Sequence, residues 1–411
     1  MTTITSGTLE KTITDYIETN KIKFIDTSHT ISANPEIGNE EFFAQKTLTN
    51  LLEEADFEVT RDIAGHKTGF TATKDSGKTG PHIVFLAEYD ALPGIGHACG
   101  HNAIGTQSTL AGIALSEVSK DVGGKVSVYG TPAEEGGPNG SAKGSFVKAG
   151  LFDDVDAALI VHPANRTGLT GPSLAVDPLE FKFFGRTAHA SAQPEEGINA
   201  LDAVIQLFTG INALRQQLKS TIRIHGIITD GGEAPNIIPE YAAARFFIRA
   251  ETWEEAEEVS KKVQDVARGA ALQTGSRVEI GRFQNEVHEF RINSELDKVV
   301  EQELLNVGEE IDYTQRRSYG STDAGNVSRV VPTSHPHFKI GPDTLVGHTK
   351  EFREAAISPL GDEALIKSAK VLALSGLKLL KDRETLAKIK EEFKKNNLAK
   401  TCSRISLRDD S

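Results

Sequence analysis

The chain has 411 residues, more than one hydrophobic core usually serves, so two domains or one domain with a large insertion are expected. It carries 45 Lys and Arg against 58 Asp and Glu, a net charge of −13, which argues against a broad surface for nucleic acid or another polyanion. No apolar run reaches the ~18 residues of a membrane span, residues 1–30 lack a secretory pattern, and only two cysteines occur, Cys99 and Cys402. These features suit a reducing, cytoplasmic compartment and no membrane partner.

Residues 8–33 and 40–55 read as helices; in the second, Phe43, Ala44, Leu48, Leu51, Leu52 and Ala55 fall on one face. Short strands follow at Phe57–Val59 and Gly69–Ala72, then the strongest at His82–Ala87. A helix at Thr106–Lys120, a strand at Lys125–Gly130, a helix at Ser141–Ala149 and a strand at Ala157–Val161 continue the alternation. Strands this apolar, alternating with helices, predict an α/β fold with a mostly parallel sheet flanked by helices.

From Leu179 the order changes to strand, helix (Ile198–Gln217), strand (Thr221–Ile228), strand (Ala242–Ile248), helix (Trp253–Gln273) and strand (Arg277–Ile280). That β-α-β-β-α-β order predicts an inserted ferredoxin-like α+β domain over 178–290, splitting the first domain into 1–177 and 291–382. Helices at Ser294–Val307 and Asp362–Leu380 resume the first domain, and the charged segment 383–411 reads as a solvated helix or frayed tail, with Cys402 inert in it.

Two motifs suggest nucleotide binding and fail. Gly94-Ile-Gly96 lacks its third glycine, because that position is Cys99; Ser76–Thr79 has Ala72 where a phosphate-binding loop needs glycine. Other clusters are richer. Glu88-Tyr89-Asp90 and Cys99-Gly100-His101 follow the His82–Ala87 strand, Glu134-Glu135 follows the next, and His162 follows the one after; His348 lies far downstream. Open α/β sheets place ligands past strand carboxyl ends, and thiolate, imidazole and carboxylate are the donors of zinc and its neighbours. Each cluster alone reads equally as a turn or a solvated loop; together they point to a metal site.

The motifs DALP, HACGHN, PAEEGG, GRTAHA, APNIIP and GHTKEF, spread from His29 to Leu379, resemble the dinuclear metallopeptidase family of aminoacylase, carnosinase and bacterial glutamate carboxypeptidase. The likeness is to its amidohydrolase branch, which cleaves auxin conjugates and aminobenzoyl-glutamate, and to the related basic-dipeptide hydrolases. The resemblance implies two divalent ions per subunit (zinc, manganese or cobalt), held by Cys99, His101, Glu135, His162 and His348. Glu134 matches the general base that acts on a metal-activated water, and Asp90 the carboxylate that supports the metal site. Glu88 stands where other branches carry a ligating histidine, consistent with Cys99-x-His101 replacing the usual acidic bridging motif.

On the insertion, His189 matches an oxyanion donor, Asn236 a substrate contact and Arg249 a carboxylate clamp. In the family such residues reach the site across a dimer interface, so a homodimer through this lid domain is expected. Asp323, in a glycine-rich loop, is a candidate contact for a substrate's basic group. His29, His66, His225, His288 and His337 read as structural, and His97 and His335 match no ligand position. The function expected is a metal-dependent hydrolase of N-acyl amino acids or small dipeptides. Competing readings are a cysteine amidase with Cys99 as nucleophile and a non-catalytic binding protein on the same scaffold.

Overall fold

The structure, a computed structural model, describes residues 6–314 and 320–406, with side chains for 7–314 and 320–397; Cys402 falls outside the described side chains. The chain divides into two units, one holding the described residues before Ser173, residues 290–314 and those from Asp323 onward, the other built from Ser173–Glu289 and residues 320–322.

The first unit opens with helices α1 (Ser6–Ala33) and α2 (Phe42–Glu54) and strands β1 (Glu58–Ile63), β2 (His66–Asp75) and β3 (His82–Ala87). Helix α3 (His101–Val122), strand β4 (Lys125–Gly130), helix α4 (Ala142–Lys148) and strands β5 (Ala157–Leu159) and β6 (His162–Ala164) follow. The second unit contributes β7 (Ala175–Phe184), α5 (Ala200–Leu214), β8 (Arg223–Asp230), β9 (Tyr241–Ala250), α6 (Trp253–Thr274) and β10 (Arg277–Arg282). The chain then returns with α7 (Ser294–Asn306), α8 (Ala324–Ser328), β11 (Thr333–Ser334), β12 (His337–Lys339), α9 (Lys350–Ala355), α10 (Pro359–Lys381) and α11 (Arg383–Ser406).

The main sheet runs β1-β2-β4-β3-β5-β11. Its centre, β4-β3-β5-β11, is parallel, whereas β1 and β2 join antiparallel at one edge. Strand β3 is apolar from Ile83 to Ala87 because both its faces are covered. Ile83, Phe85 and Ala87 pack in the cluster that holds residues of α1, α3 and α10. Val84 and Leu86 pack on the other side with Phe146 of α4 and Val327 of α8.

The C-terminal segment corrects the expectation of a solvated tail. Leu386 and Ile389 of α11 are buried in the first unit's core. Glu392 accepts from the backbone N–H of Ser294 and Glu295, so it caps α7 through tertiary contact.

In the second unit the strand order β10-β7-β9-β8, antiparallel throughout, is that of a ferredoxin-like sheet. Leu179, Phe181, Phe183, Phe246 and Ile248 alternate onto the face covered by α5 and α6. Strand β7 begins at Ala175, earlier than the expected Leu179, so Pro178 lies within the strand rather than at a domain edge. Helix starts follow the local sequence: Asn199 and Thr252 cap α5 and α6, accepting from Leu201 and Glu255 N–H. Among the described residues no helix is long and apolar enough to cross a membrane.

Candidate metal centre

Three adjacent parallel strands, β4, β3 and β5, end side by side and deliver the polar loops expected at their carboxyl ends. After β3 come Glu88 and Asp90, after β4 Glu134 and Glu135, and after β5 His162. Gly100, at φ 77°, turns the chain from Cys99 into α3, so His101 starts that helix. A Cβ on Gly100 would stand 2.9 Å from the Pro163 ring, so the turn needs glycine for both conformation and space. His348 arrives from before α9, tied by its N–H to Ala98 O at 2.9 Å. Both Ala133 (φ 56°) and His348 (φ 63°) hold left-handed backbone, a local strain of about 1–3 kcal/mol that the packed surroundings maintain.

The ligand atoms of Cys99, His101 and His162 lie within 4.8 Å of one another, as do those of Cys99, Glu135 and His348, and those of His101, Glu134 and Glu135. Cys99 Sγ is 3.5 Å from His162 Nε2, and His348 Nε2 is 3.4 Å from Glu135 Oε1. The five residues expected as ligands are therefore brought together.

Their outer contacts select which atoms face the centre. His101 Nδ1 meets Asp90 Oδ1 at 2.9 Å, and Asp90 Oδ2 accepts from Glu135 N–H at 2.9 Å. His162 Nδ1 bonds Pro163 O at 2.7 Å, which leaves Nε2 with its lone pair inward. His101 Nε2 and Glu135 Oε1 are buried 4.0 Å apart with no close hydrogen bond, their ion-pair neighbours Glu88 Oε2 and His348 Nε2 each standing 3.4 Å off. Buried lone pairs left unpaired are costly, and a cation among them would satisfy both. The residues present fit divalent ions.

Electrostatics separate the two adjacent carboxylates. Burial, then the charges of Glu88, Asp323 and Glu135, push Glu134 well above the usual carboxyl range. Glu135 is held below it: burial opposes this, but the His348 and His101 imidazoles prevail. Burial also lowers His162, keeping the ring neutral, and raises the Cys99 thiol.

Several contributors escaped the sequence reading. Glu41, buried and pushed up to about 7 by burial and by Asp90, accepts from Ala133 N–H at 2.9 Å and from the Thr68 hydroxyl at 2.7 Å. It thus anchors the strained residue before Glu134. His335 stacks on His162 at 5.6 Å between ring centres, and His337 pairs with His162 in the short β12-β6 ladder. Lys143, fully buried, lies 2.7 Å from Glu88 Oε1 and 2.5 Å from Asp323 Oδ1. Asp323, expected to meet a substrate's basic group, is instead buried, and the basic group it meets is Lys143.

In the second unit, His189 and Ile237 form a backbone bridge, and Ala190 N–H donates to Asn236 O. The His189 and Asn236 loops are therefore neighbours. Backbone N–H groups of Ser191 and Ala192 donate to His189 Nδ1 at 3.3 and 3.2 Å, so the neutral ring carries its proton on Nε2. Arg249 donates from Nε to His225 Nε2 at 3.2 Å and from Nη1 to Ser321 Oγ at 3.0 Å. His225, read as structural, thus contacts one of the expected substrate-binding residues.

Comparison with known proteins agrees with this geometry. Residues 179–275 match the family model described as a peptidase dimerisation domain. The mouse Xaa-Arg dipeptidase is 36% identical over 89% of this chain and 88% of its own length. The chain belongs to the M20 peptidase family. A p-aminobenzoyl-glutamate hydrolase polypeptide of Escherichia coli is also 36% identical, over 72% of this chain and 65% of that protein. A dinuclear metal-binding peptidase of the M20 family from Bacillus subtilis shares the fold, with a TM-score of 0.63 at 20% identity over 88% of this chain and 99% of that one.

Proposed function

We propose that this M20 protein is a cytoplasmic metal-dependent hydrolase that cleaves the amide bond of a small dipeptide or N-acyl amino acid. Cys99, His101, Glu135, His162 and His348 would hold two divalent ions, and zinc, manganese and cobalt all accept this donor set. When bound, the ions would lower the pKa of water and polarise the amide carbonyl.

The chain's own residues carry the proton. Glu134 takes it from the attacking water, holds it, and hands it to the leaving nitrogen as the carbon–nitrogen bond breaks. Water thus adds across the amide, leaving a carboxylic acid and an amine. The observation that carries the reading is the divergence of the two neighbours, Glu135 within 3.4 Å of His348 and Glu134 beside Glu88 and Asp323.

His189 would supply an Nε2–H donor to the tetrahedral oxyanion, Asn236 would hold the substrate, and Arg249 would grip a free carboxylate. The match to a peptidase dimerisation domain and the exposed Ile227 and Ile228 on β8 support a homodimer formed through the second unit. The relatives' names favour substrates ending in an amino acid with a charged side chain, such as arginine or glutamate.

A cysteine nucleophile has less support. Its thiolate would need a lowered pKa, whereas burial and Glu135 raise Cys99. The test is a panel of Xaa-Arg dipeptides, aminobenzoyl-glutamate and other N-acyl amino acids assayed on metal-reconstituted protein. Metal-dependent release of the free amino acid from one class is the expected result; no hydrolysis across the panel would refute the assignment.

A further inference from the structure

Behind the candidate ligands lies a second convergence of charge. Carboxylate oxygens of Glu88, Glu134 and Asp323 approach within 4.8 Å of one another, close enough to hold a metal ion. A cation already serves this group. Lys143 Nζ lies 2.7 Å from Glu88 Oε1 and 2.5 Å from Asp323 Oδ1, and its backbone N–H donates to Asp323 Oδ2 at 3.1 Å. Glu88, Lys143 and Asp323 are all buried, at 0, 0 and 1% exposure, and come from the end of β3, the start of α4 and the approach to α8. Glu88 Oε2 in turn stands 3.4 Å from His101 Nε2. Three carboxylates cannot all stay ionised in so dry a site without positive charge, because burying an uncompensated carboxylate costs several kcal/mol.

We propose that Lys143 is a positioning residue for the hydrolytic site, its ammonium standing where a further divalent ion would otherwise enter the Glu88–Glu134–Asp323 cage. It thereby confines metal to the Cys99–His101–Glu135–His162–His348 cluster and leaves Glu134 unligated, able to act on water. This rests on the hydrolase reading, but its test is separable, since counting metal ions requires no substrate. The wild-type protein and Lys143→Met are equilibrated with manganese or zinc, desalted, and counted by elemental analysis against protein concentration.

The variant is expected to bind about one more ion per subunit than wild type. Its kcat should fall about 10–100-fold with little change in KM, and fall further as free metal rises. Lys143→Arg, which keeps the charge, should retain the wild-type metal count. If Lys143→Met does not fold, Lys143→Met/Asp323→Asn removes one charge of each sign; the wild-type metal count with a lowered kcat is then expected. An unchanged metal count in folded Lys143→Met overturns the proposal, as does unchanged kcat in the double variant. Absence of metal-dependent hydrolysis by the wild type would instead overturn the hydrolase reading, and the ion count alone would then decide the role of Lys143.

Discussion

One carboxylate, Asp90, orients two candidate ligands at once: Oδ1 lies 2.9 Å from His101 Nδ1 and Oδ2 accepts from Glu135 N–H at the same distance. The pairing turns His101 Nε2 inward and fixes the loop that carries Glu134 and Glu135. Asp90→Asn keeps the shape but loses the charge and one acceptor. Metal affinity should fall about 10–100-fold, measured by competition with a chromophoric chelator, while the thermal midpoint of the metal-free protein moves little.

Glu134 and Glu135 should separate under the same substitution. Glu134→Gln removes the proton carrier, so turnover should fall by about 10²–10⁴-fold with metal content near normal. Glu135→Gln should lower metal content as well, read by elemental analysis on the same samples. The reverse pattern would exchange the two roles.

A stability prediction concerns a buried acid away from the metal centre. Burial raises Asp297 to about 6, and both Ser334 and Thr170 hydroxyls donate to its Oδ1 at 2.6 and 2.7 Å. Folding therefore favours the protonated form. That contribution is fully present below about pH 4 and is lost as pH rises through about 6. Asp297→Asn keeps an acceptor for both hydroxyls and cannot ionise. Denaturant unfolding should show a shallower fall in stability between pH 4 and 6 for the variant. By pH 7.5 it should be the more stable protein, by up to about 3 kcal/mol.

What could be read from the chain alone follows the range of the interactions. The strand at His82–Ala87 is legible because, covered on both faces, it is apolar at every position after His82, and the strand-end clusters are legible because their residue types are uncommon together. Strands β6 and β12 were not, since three residues carry no period and His162 meets His337 only through the fold. Lys143 gives no local sign of its burial; its partner Asp323 lies 180 residues away. Helix α11 misled for the same reason: its sequence is charged, and among its described side chains only Leu386 and Ile389 find the core.

The second unit's contribution is tested through His189 and Arg249. His189→Ala should cost about 10²–10³ in kcat with metal content unchanged. Arg249→Ala should weaken substrates with a free carboxylate and spare their amidated analogues. If His189 serves the partner's site in a homodimer, mixing His189→Ala with Glu134→Gln restores one intact site per heterodimer and returns activity. No recovery after verified subunit exchange would assign His189 to its own chain or to no catalytic role.

The central claim is that the converging Cys99, His101, Glu135, His162 and His348 hold the ions on which amide hydrolysis depends. The most direct measurement is amide hydrolysis and ion count on one sample, taken before exhaustive chelation, after it, and after titration with a single divalent ion. The account predicts loss of activity with loss of metal and recovery that saturates at about two ions per subunit. Full turnover by metal-free protein, abolished instead by alkylation of Cys99, would contradict it.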